Sequence, residues 1–231
     1  MACVLVTRAE PGASETAARL QALGHTVIVA PMLIIKPVAT DANTDGFQAL
    51  LFTSANGVTA FARESRERTL PAFCVGDATG EAATANGFGN VRIAGGDVRA
   101  LASFVAQTLR PDGGALMHVA GADLAGDLVG ALQREGFTAV CRVFYRAAVV
   151  GHMPQRVHEA LRESVDVVLF HSARGCAAFR DAVEKDSSLQ RIAALCLSPA
   201  VAEIARGLNW RDVVVAQAPR EDALLRLLVE N

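Results

Sequence analysis

Lysine is nearly missing from this chain. Only Lys36 and Lys185 occur among 231 residues, and the arginines form no basic block. Neither nucleic acid nor an anionic membrane surface is therefore an expected partner. No apolar run approaches the ~18–20 residues needed to span a bilayer. The five cysteines and five histidines contain no CxxC, HxxxH or HExxH spacing. An odd cysteine count without such pairs argues against a disulfide framework and against zinc. Cys3, Cys74, Cys141, Cys176 and Cys196 fall mostly in strand-like apolar runs, where a thiol is expected to be a small buried hydrophobe. The fingerprints GxGxxG, GxxxxGK(S/T) and GxSxG are also lacking, which weakens dinucleotide, P-loop, sugar-nucleotide and serine-hydrolase readings. Met1 to Val6 run straight into a strand with no basic segment or cleavage site ahead, so a secretory signal is not expected and the cytoplasm is.

What is present is apolar matter in a regular order. Apolar residues make up 52% of the chain and charged residues 20%, with a net charge of −2. That supports packed cores and excludes disorder. Short Val/Leu/Ile runs alternate with amphipathic stretches, the pattern of βαβ units around parallel sheets. Val4–Thr7 reads as a strand. A helix follows from about Ser14, as N-cap, to Leu23, with Gly24 as its left-handed terminator. Thr26–Ala30 is the next strand. Ala49–Ser54 and Ala72–Gly76 are strands with helices running through Phe61 and Ala85. Asp97 caps a helix to Leu109. Leu116–Val119 leads to a helix ending at Gly136, and Val140–Tyr145 is extended. Pro154 starts a helix over 154–163. Strands at 166–171, 193–197 and 212–216 then alternate with helices to about 183, about 206 and over 220–229.

The chain repeats itself. Leu51-Phe52-Thr53-Ser54-Ala55-Asn56-Gly57 recurs as Leu169-Phe170-His171-Ser172-Ala173-Arg174-Gly175, and each copy continues to Ala-Phe. Ala72, Cys74, Ala78, Glu81 and Ala83 recur as Ala194, Cys196, Ala200, Glu203 and Ala205. Leu20-Gln21, Gly24 and Thr26 recur as Leu132-Gln133, Gly136 and Thr138. Their order along the chain is first, second, third, first, second, third. A lobe needs all three types, and residues 38–144 supply second, third and first. The remaining first type, within residues 1–35, must join the copies within 148–231. The expectation is two flavodoxin-like lobes, each a parallel sheet of about five strands with flanking helices, one inserted into the other. The chain would cross between them near Leu33–Val38 and Arg142–Val149.

Ligands of open parallel sheets bind outside the carboxyl ends of the strands. The residues there are Thr7-Arg8, Thr53 to Gly57 (with Ser54, Ala55 and Asn56), Gly76 to Thr79, Ala120-Gly121, His171 to Gly175 (with Ser172 and Ala173) and Ser198-Pro199. They are small, hydroxylic or glycine, and each precedes a helix whose first N–H groups favour an anion. Any one Ser or Thr is equally well explained as a helix cap. Taken together, in two facing lobes, the loops point to a cleft for a ligand with several carboxylates, held by amides and hydroxyls rather than by lysines. Arg8 and Arg174 could clamp carboxylates. Tyr145, the only tyrosine, lies in the second crossover. It could pack there and hydrogen-bond a carbonyl, or point at the ligand as a proton donor.

Several of these segments together resemble the uroporphyrinogen-III synthase family. They are Val4-Leu5-Val6-Thr7-Arg8, Phe52-Thr53-Ser54-Ala55-Asn56-Gly57-Val58, Val75-Gly76-Asp77-Ala78-Thr79 and Val143-Phe144-Tyr145-Arg146. The resemblance implies two α/β lobes joined by a two-stranded ladder. It implies hydroxymethylbilane, a linear tetrapyrrole bearing acetates and propionates, as substrate. The activity implied is that of a cyclising lyase in heme biosynthesis, which eliminates water, inverts the terminal pyrrole and closes uroporphyrinogen III. No metal or organic cofactor is implied, and a monomer is expected. The crossover tyrosine of the family matches Tyr145, and the matching loops place Thr7, Arg8, Ser54, Ala55, Thr79 and Ser172 around the substrate. The third-type loops depart from the family's Gly-Pro-x-Thr, the second ending in Val201, which has no hydroxyl. The competing expectation is a bilobed module that binds or senses a small anion without chemistry.

Overall fold

The computed structural model describes residues 1–124, 126–183 and 189–230. Two compact units divide the chain, Met1–Ile34 with Ala148–Asn231 and Ile35–Ala147.

The first unit is built on a five-stranded sheet of β1 (Cys3–Val6), β2 (Thr26–Val29), β9 (Val167–Phe170), β10 (Ala193–Cys196) and β11 (Asp212–Val215). Their order is β11-β10-β9-β1-β2, and every pairing is parallel. Renumbered within the unit this is the 2-1-3-4-5 order of flavodoxin-like sheets. Its helices are α1 (Gly12–Ala22), α6 (Gln155–Glu163), α7 (Ala173–Ala182), α8 (Pro199–Ala205) and the terminal α9 (Glu221–Glu230). Val4, Val6, Leu169 and Leu195 pack one sheet face against Ala13 and Leu20 of α1 and Leu224 of α9. Phe170, Phe179 and Trp210 form an aromatic cluster with ring centroids 5.2–5.8 Å apart.

The second unit has a sheet ordered β3-β8-β7-β4-β5-β6. Its strands are β3 (Leu33–Pro37), β4 (Phe47–Phe52), β5 (Ala72–Cys74), β6 (Val91–Ile93), β7 (Ala115–Gly121) and β8 (Ala139–Val149). Omitting β3, the order is again 2-1-3-4-5, begun at a different point in the chain. Helices α2 (Ala55–Glu64), α3 (Asp77–Ala85), α4 (Val98–Thr108) and α5 (Leu128–Arg134) cover it. Strand alternation decides which face each residue serves. Leu50 and Phe52 pack with Val58, Phe61 and Phe144, while Ala49 and Leu51 pack with Leu101, Val105 and Leu132. Both faces are buried, as parallel sheets require. At its edge β3 lies beside β8, with the Val38 amide donating to the Phe144 carbonyl at 2.9 Å just past the end of β3.

The repeated Leu-Gln-x-x-Gly segment explains itself here. Gly24 and Gly136 have φ of +84° and +86°. His25 N donates to Leu20 O and Phe137 N to Leu132 O, at 3.0 and 3.1 Å. Both helices thus end in the same left-handed cap, where a side chain would be strained. Among the described residues no helix is long and apolar enough to cross a membrane.

Three local expectations need correction. Ser14 is not the cap of α1, which begins two residues earlier after Pro11. Its amide and hydroxyl instead donate to the Glu10 carboxylate at 3.0 and 2.9 Å, so an acidic residue satisfies the orphan amide. The strand β6 was not anticipated, because three residues are too few to show a period. Cys141 is exposed rather than buried, as is its neighbour Val140 on β8.

Phe61 is fully buried and lies within 5.4–6.3 Å, centroid to centroid, of Phe52, Phe88 and Phe144. Phe61→Ala is expected to cost about 3–5 kcal/mol, seen in urea unfolding as a lower midpoint at unchanged slope.

Candidate functional site

Each segment singled out from the sequence lies just after the carboxyl end of a strand in its own unit, except Ala120-Gly121, which are the last residues of β7. In the second unit, β4 ends at Phe52 and Ser54 caps α2. Ser54 adopts extended backbone, and its Oγ accepts the Gly57 amide at 3.1 Å. That leaves Ala55 and Asn56, both partly exposed, at the head of the helix, where N–H groups lack helical acceptors.

The same Ser54 Oγ lies 2.8 Å from the Tyr145 hydroxyl. Because Oγ already accepts from Gly57, its own proton is free to be donated to Tyr145. The phenolic proton is then available to a ligand. Burial pushes the Tyr145 pKa up; the Ser54 hydrogen bond works against that shift, and the Asp123 charge adds to it. Tyr145 is consequently a protonated donor at neutral pH.

Gly121 is paired with Tyr145 across β7 and β8. A Cβ on it would stand 2.6 Å from Tyr145 Cζ and 2.8 Å from the hydroxyl oxygen. Gly121 is thus the floor under the tyrosine ring. Between β7 and β4, His118 Nε2 hydrogen-bonds Thr53 Oγ1 at 3.0 Å. His118 is 3% exposed, and burial holds its pKa down at about 4, so it is neutral.

The third-type loop of this unit has Gly76 as N-cap of α3 with no side-chain cap. Thr79 is buried in the first turn, its amide bonded to Gly76 O at 3.1 Å.

In the first unit Ser172 caps α7 by accepting from Gly175 N at 3.1 Å, leaving Ala173 at the helix head. Ser198 is the N-cap of α8 but makes no side-chain cap bond. Two residues expected at the substrate already have partners here. Thr7 is 2% exposed, and its Oγ1 donates to Leu169 O at 2.7 Å. That hydroxyl ties β1 to β9 and is not presented to a ligand. Arg8 is not a free clamp: its Nη1 donates to Glu221 Oε2 at 2.6 Å and to Thr16 Oγ1 at 3.3 Å. A guanidinium whose side chain is only 31% exposed requires a counter-charge, and α9 supplies it.

Sequence pattern marks Thr53 as a strand-end residue but does not point to His118, Thr16 or Glu221. The Thr53–His118 pair could have been sought, since a histidine inside an apolar strand needs a partner. The Arg8–Glu221 pair spans 213 positions, and Glu221 reads in sequence only as an acid suited to a helix start.

The family model described as uroporphyrinogen-III synthase HemD matches residues 14–226. No curated protein sequence matches. Among solved structures, uroporphyrinogen-III synthetase from Helicobacter pylori aligns with a TM-score of 0.68 at 16% identity, over 100% of this chain and 99% of that one. A mutant uroporphyrinogen III synthase from the extremely thermophilic bacterium Thermus thermophilus aligns with a TM-score of 0.51 at 17% identity, over 100% and 98%. At such identities these two show the fold.

Gly121→Ala is expected to push the Tyr145 ring off its floor and cost roughly 1–3 kcal/mol, measured by thermal unfolding; an unchanged midpoint would mean that the ring does not rest there. His118 carries a pH consequence. Its folded pKa of about 4 lies below the ordinary ~6.5, so the unfolded chain takes up the proton first as pH falls. The wild type should lose stability between pH ~6.5 and ~4 more steeply than His118→Gln does, measured as urea midpoints across that range.

Proposed function

The chain belongs to the uroporphyrinogen-III synthase family, and we propose that it cyclises hydroxymethylbilane to uroporphyrinogen III with Tyr145 as the proton donor. The observation that carries the assignment to Tyr145 is its 2.8 Å contact with Ser54 Oγ at the head of α2.

The reaction begins when the carbon–oxygen bond of the hydroxymethyl group breaks. Electron density from the pyrrole nitrogen pushes, and the leaving hydroxide needs a proton to depart as water. Tyr145 supplies it from a phenol kept protonated by burial. Negative charge then develops on the tyrosine oxygen. The Ser54 hydroxyl donates to it, and Ser54 in turn accepts from the Gly57 amide. This chain of donors, backed by the positive end of α2, stabilises the developing phenolate. The electron-poor methylene forms its new carbon–carbon bond at the substituted carbon of the terminal ring. The resulting spiro intermediate breaks the bond from that carbon to its original methylene, and the freed methylene bonds the terminal ring's unsubstituted α-carbon, which inverts the ring and closes the macrocycle. The proton lost on closure returns to Tyr145, so the net loss is one water.

The substrate's acetates and propionates suit amide donors at helix heads. Ala55 and Asn56 on α2 and the open head of α3 behind Gly76, in the same unit as Tyr145, are assigned to them. Holding the bilane curled against direct closure is a positioning effect. Tyr145, Ser54 and these amides supply the chemistry without a metal or organic cofactor, and the enzyme acts as a monomer in the cytoplasm.

Tyr145→Phe should lower kcat by about 100-fold or more with little change in KM, the signature of a group acting in the transition state. Ser54→Ala should fall between that variant and wild type. Products are to be resolved as type I and type III isomers. Unchanged turnover by Tyr145→Phe would return the residue to a packing role. A wild type that binds the bilane yet yields only the type I isomer would identify a binding module instead.

A further inference from the structure

A second polar cluster lies in the first unit, at the carboxyl ends of β1 and β9. Arg8 follows β1, His171 follows β9, Thr16 lies on α1, and Glu221 opens α9. The Glu221 carboxylate is held by Arg8 Nη1 at 2.6 Å through Oε2 and by a short hydrogen bond from Thr16 Oγ1 to Oε1. His171 Nε2 lies 4.0 Å from the same Oε1, beyond hydrogen-bond distance. The His171 side chain is 8% exposed, and neither ring nitrogen has a hydrogen-bond partner among the described residues. At the equivalent position of the other repeat stands Thr53, which is bonded to His118. The vacant bonding capacity is thus particular to this copy.

The surroundings are built for a carboxylate. Thr16 is fully buried and the Arg8–Glu221 pair is only 31% and 21% exposed. Gly12 makes room for the arginine, since a Cβ there would come within 2.5 Å of Arg8 Cζ. The neighbouring Asp222 is engaged by Arg220 and Arg226 and does not compete for Arg8. Burial and the Arg8 charge keep His171 neutral, its pKa held down at about 4 against the pull of Glu221. A neutral imidazole has one N–H to offer. Arg8, Thr16 and His171 therefore present three kinds of donor around one place, and Glu221, tethered to α9, satisfies two of them. An unpaired buried polar group is costly and calls for a partner.

We propose that Arg8, Thr16 and His171 form a carboxylate subsite that Glu221 fills in the free protein and that a substrate acetate or propionate takes over. The identity of the incoming carboxylate rests on the function proposed above. Glu221 acts as an internal competitor. Its hold on Arg8 lowers the fraction of protein ready for substrate, and apparent affinity falls with that fraction.

The test uses the whole chain with sodium propionate as probe, against sodium chloride at equal ionic strength, and reads the His171 ring resonances in isotope-labelled protein. Glu221→Gln should show a saturable His171 shift at least ~3-fold tighter in propionate than wild type. The double variant Arg8→Gln/Glu221→Gln should show none. Glu221→Asp, with its carboxylate drawn back by one methylene, should change in the same direction as Glu221→Gln and serves if that variant does not fold. In turnover, Glu221→Gln should lower KM for hydroxymethylbilane by a similar factor. No saturable shift in the Glu221 variants, or a shift that survives loss of Arg8, overturns the subsite. A wild type that forms no type III isomer overturns the function instead, and the propionate titration still decides the subsite.

Discussion

A strand that hands over directly to a helix leaves the first amides of that helix without acceptors, and each loop of interest here is a solution to that constraint. Ser54 and Ser172 solve it identically, each turning its hydroxyl back to the glycine three residues on. Gly76 and Ser198 leave it unsolved by side chains. Parallel sheets place all such junctions at one end, so each unit presents a set of partly unsatisfied donors without a single lysine. In the second unit the constraint gains a further use. The capping serine keeps one proton that it can give, and β8, two strands away from β4, brings the Tyr145 hydroxyl to 2.8 Å from it.

Desolvation then sets the protonation states. The same burial raises the pKa of Tyr145 and lowers those of His118 and His171, so all three are uncharged at neutral pH. Arg8 finds its counter-charge in Glu221. The two units thus treat equivalent junctions differently. One places an acidic hydrogen at the end of a donor chain, while the other surrounds a carboxylate position with arginine, hydroxyl and imidazole.

Much of the fold was legible because its signals are periodic and repeated. The paired Gly24 and Gly136, which end two helices in the same cap, are visible as a recurring Leu-Gln-x-x-Gly, and the cap at Asp97 follows from one residue and the apolar run behind it. The doubled order of the repeated segments points to one sheet for the strands β1, β2, β9, β10 and β11, which are ordered β11-β10-β9-β1-β2. Short elements and shared caps were not legible. β6 spans three residues, and Ser14 resembles a cap while Glu10 does the bonding. In the candidate site, strand-end position could be inferred but side-chain direction could not. Thr7 belongs to the sheet and Arg8 to a pair closed across 213 positions. Gly121 was noticed as a small residue near a ligand, whereas its immediate neighbour is the Tyr145 ring.

The central claim is that Tyr145 is held as a protonated donor by burial and by Ser54, and the chain offers an unusually direct probe, since it contains one tyrosine. Ultraviolet titration of the tyrosinate band therefore reports Tyr145 alone. The midpoint should lie above the ordinary value of 10.0 in the folded wild type and rise further in Ser54→Ala, where a hydrogen bond to the phenolate is lost. A midpoint at or below the ordinary value in the folded protein, unmoved by Ser54→Ala, would contradict it.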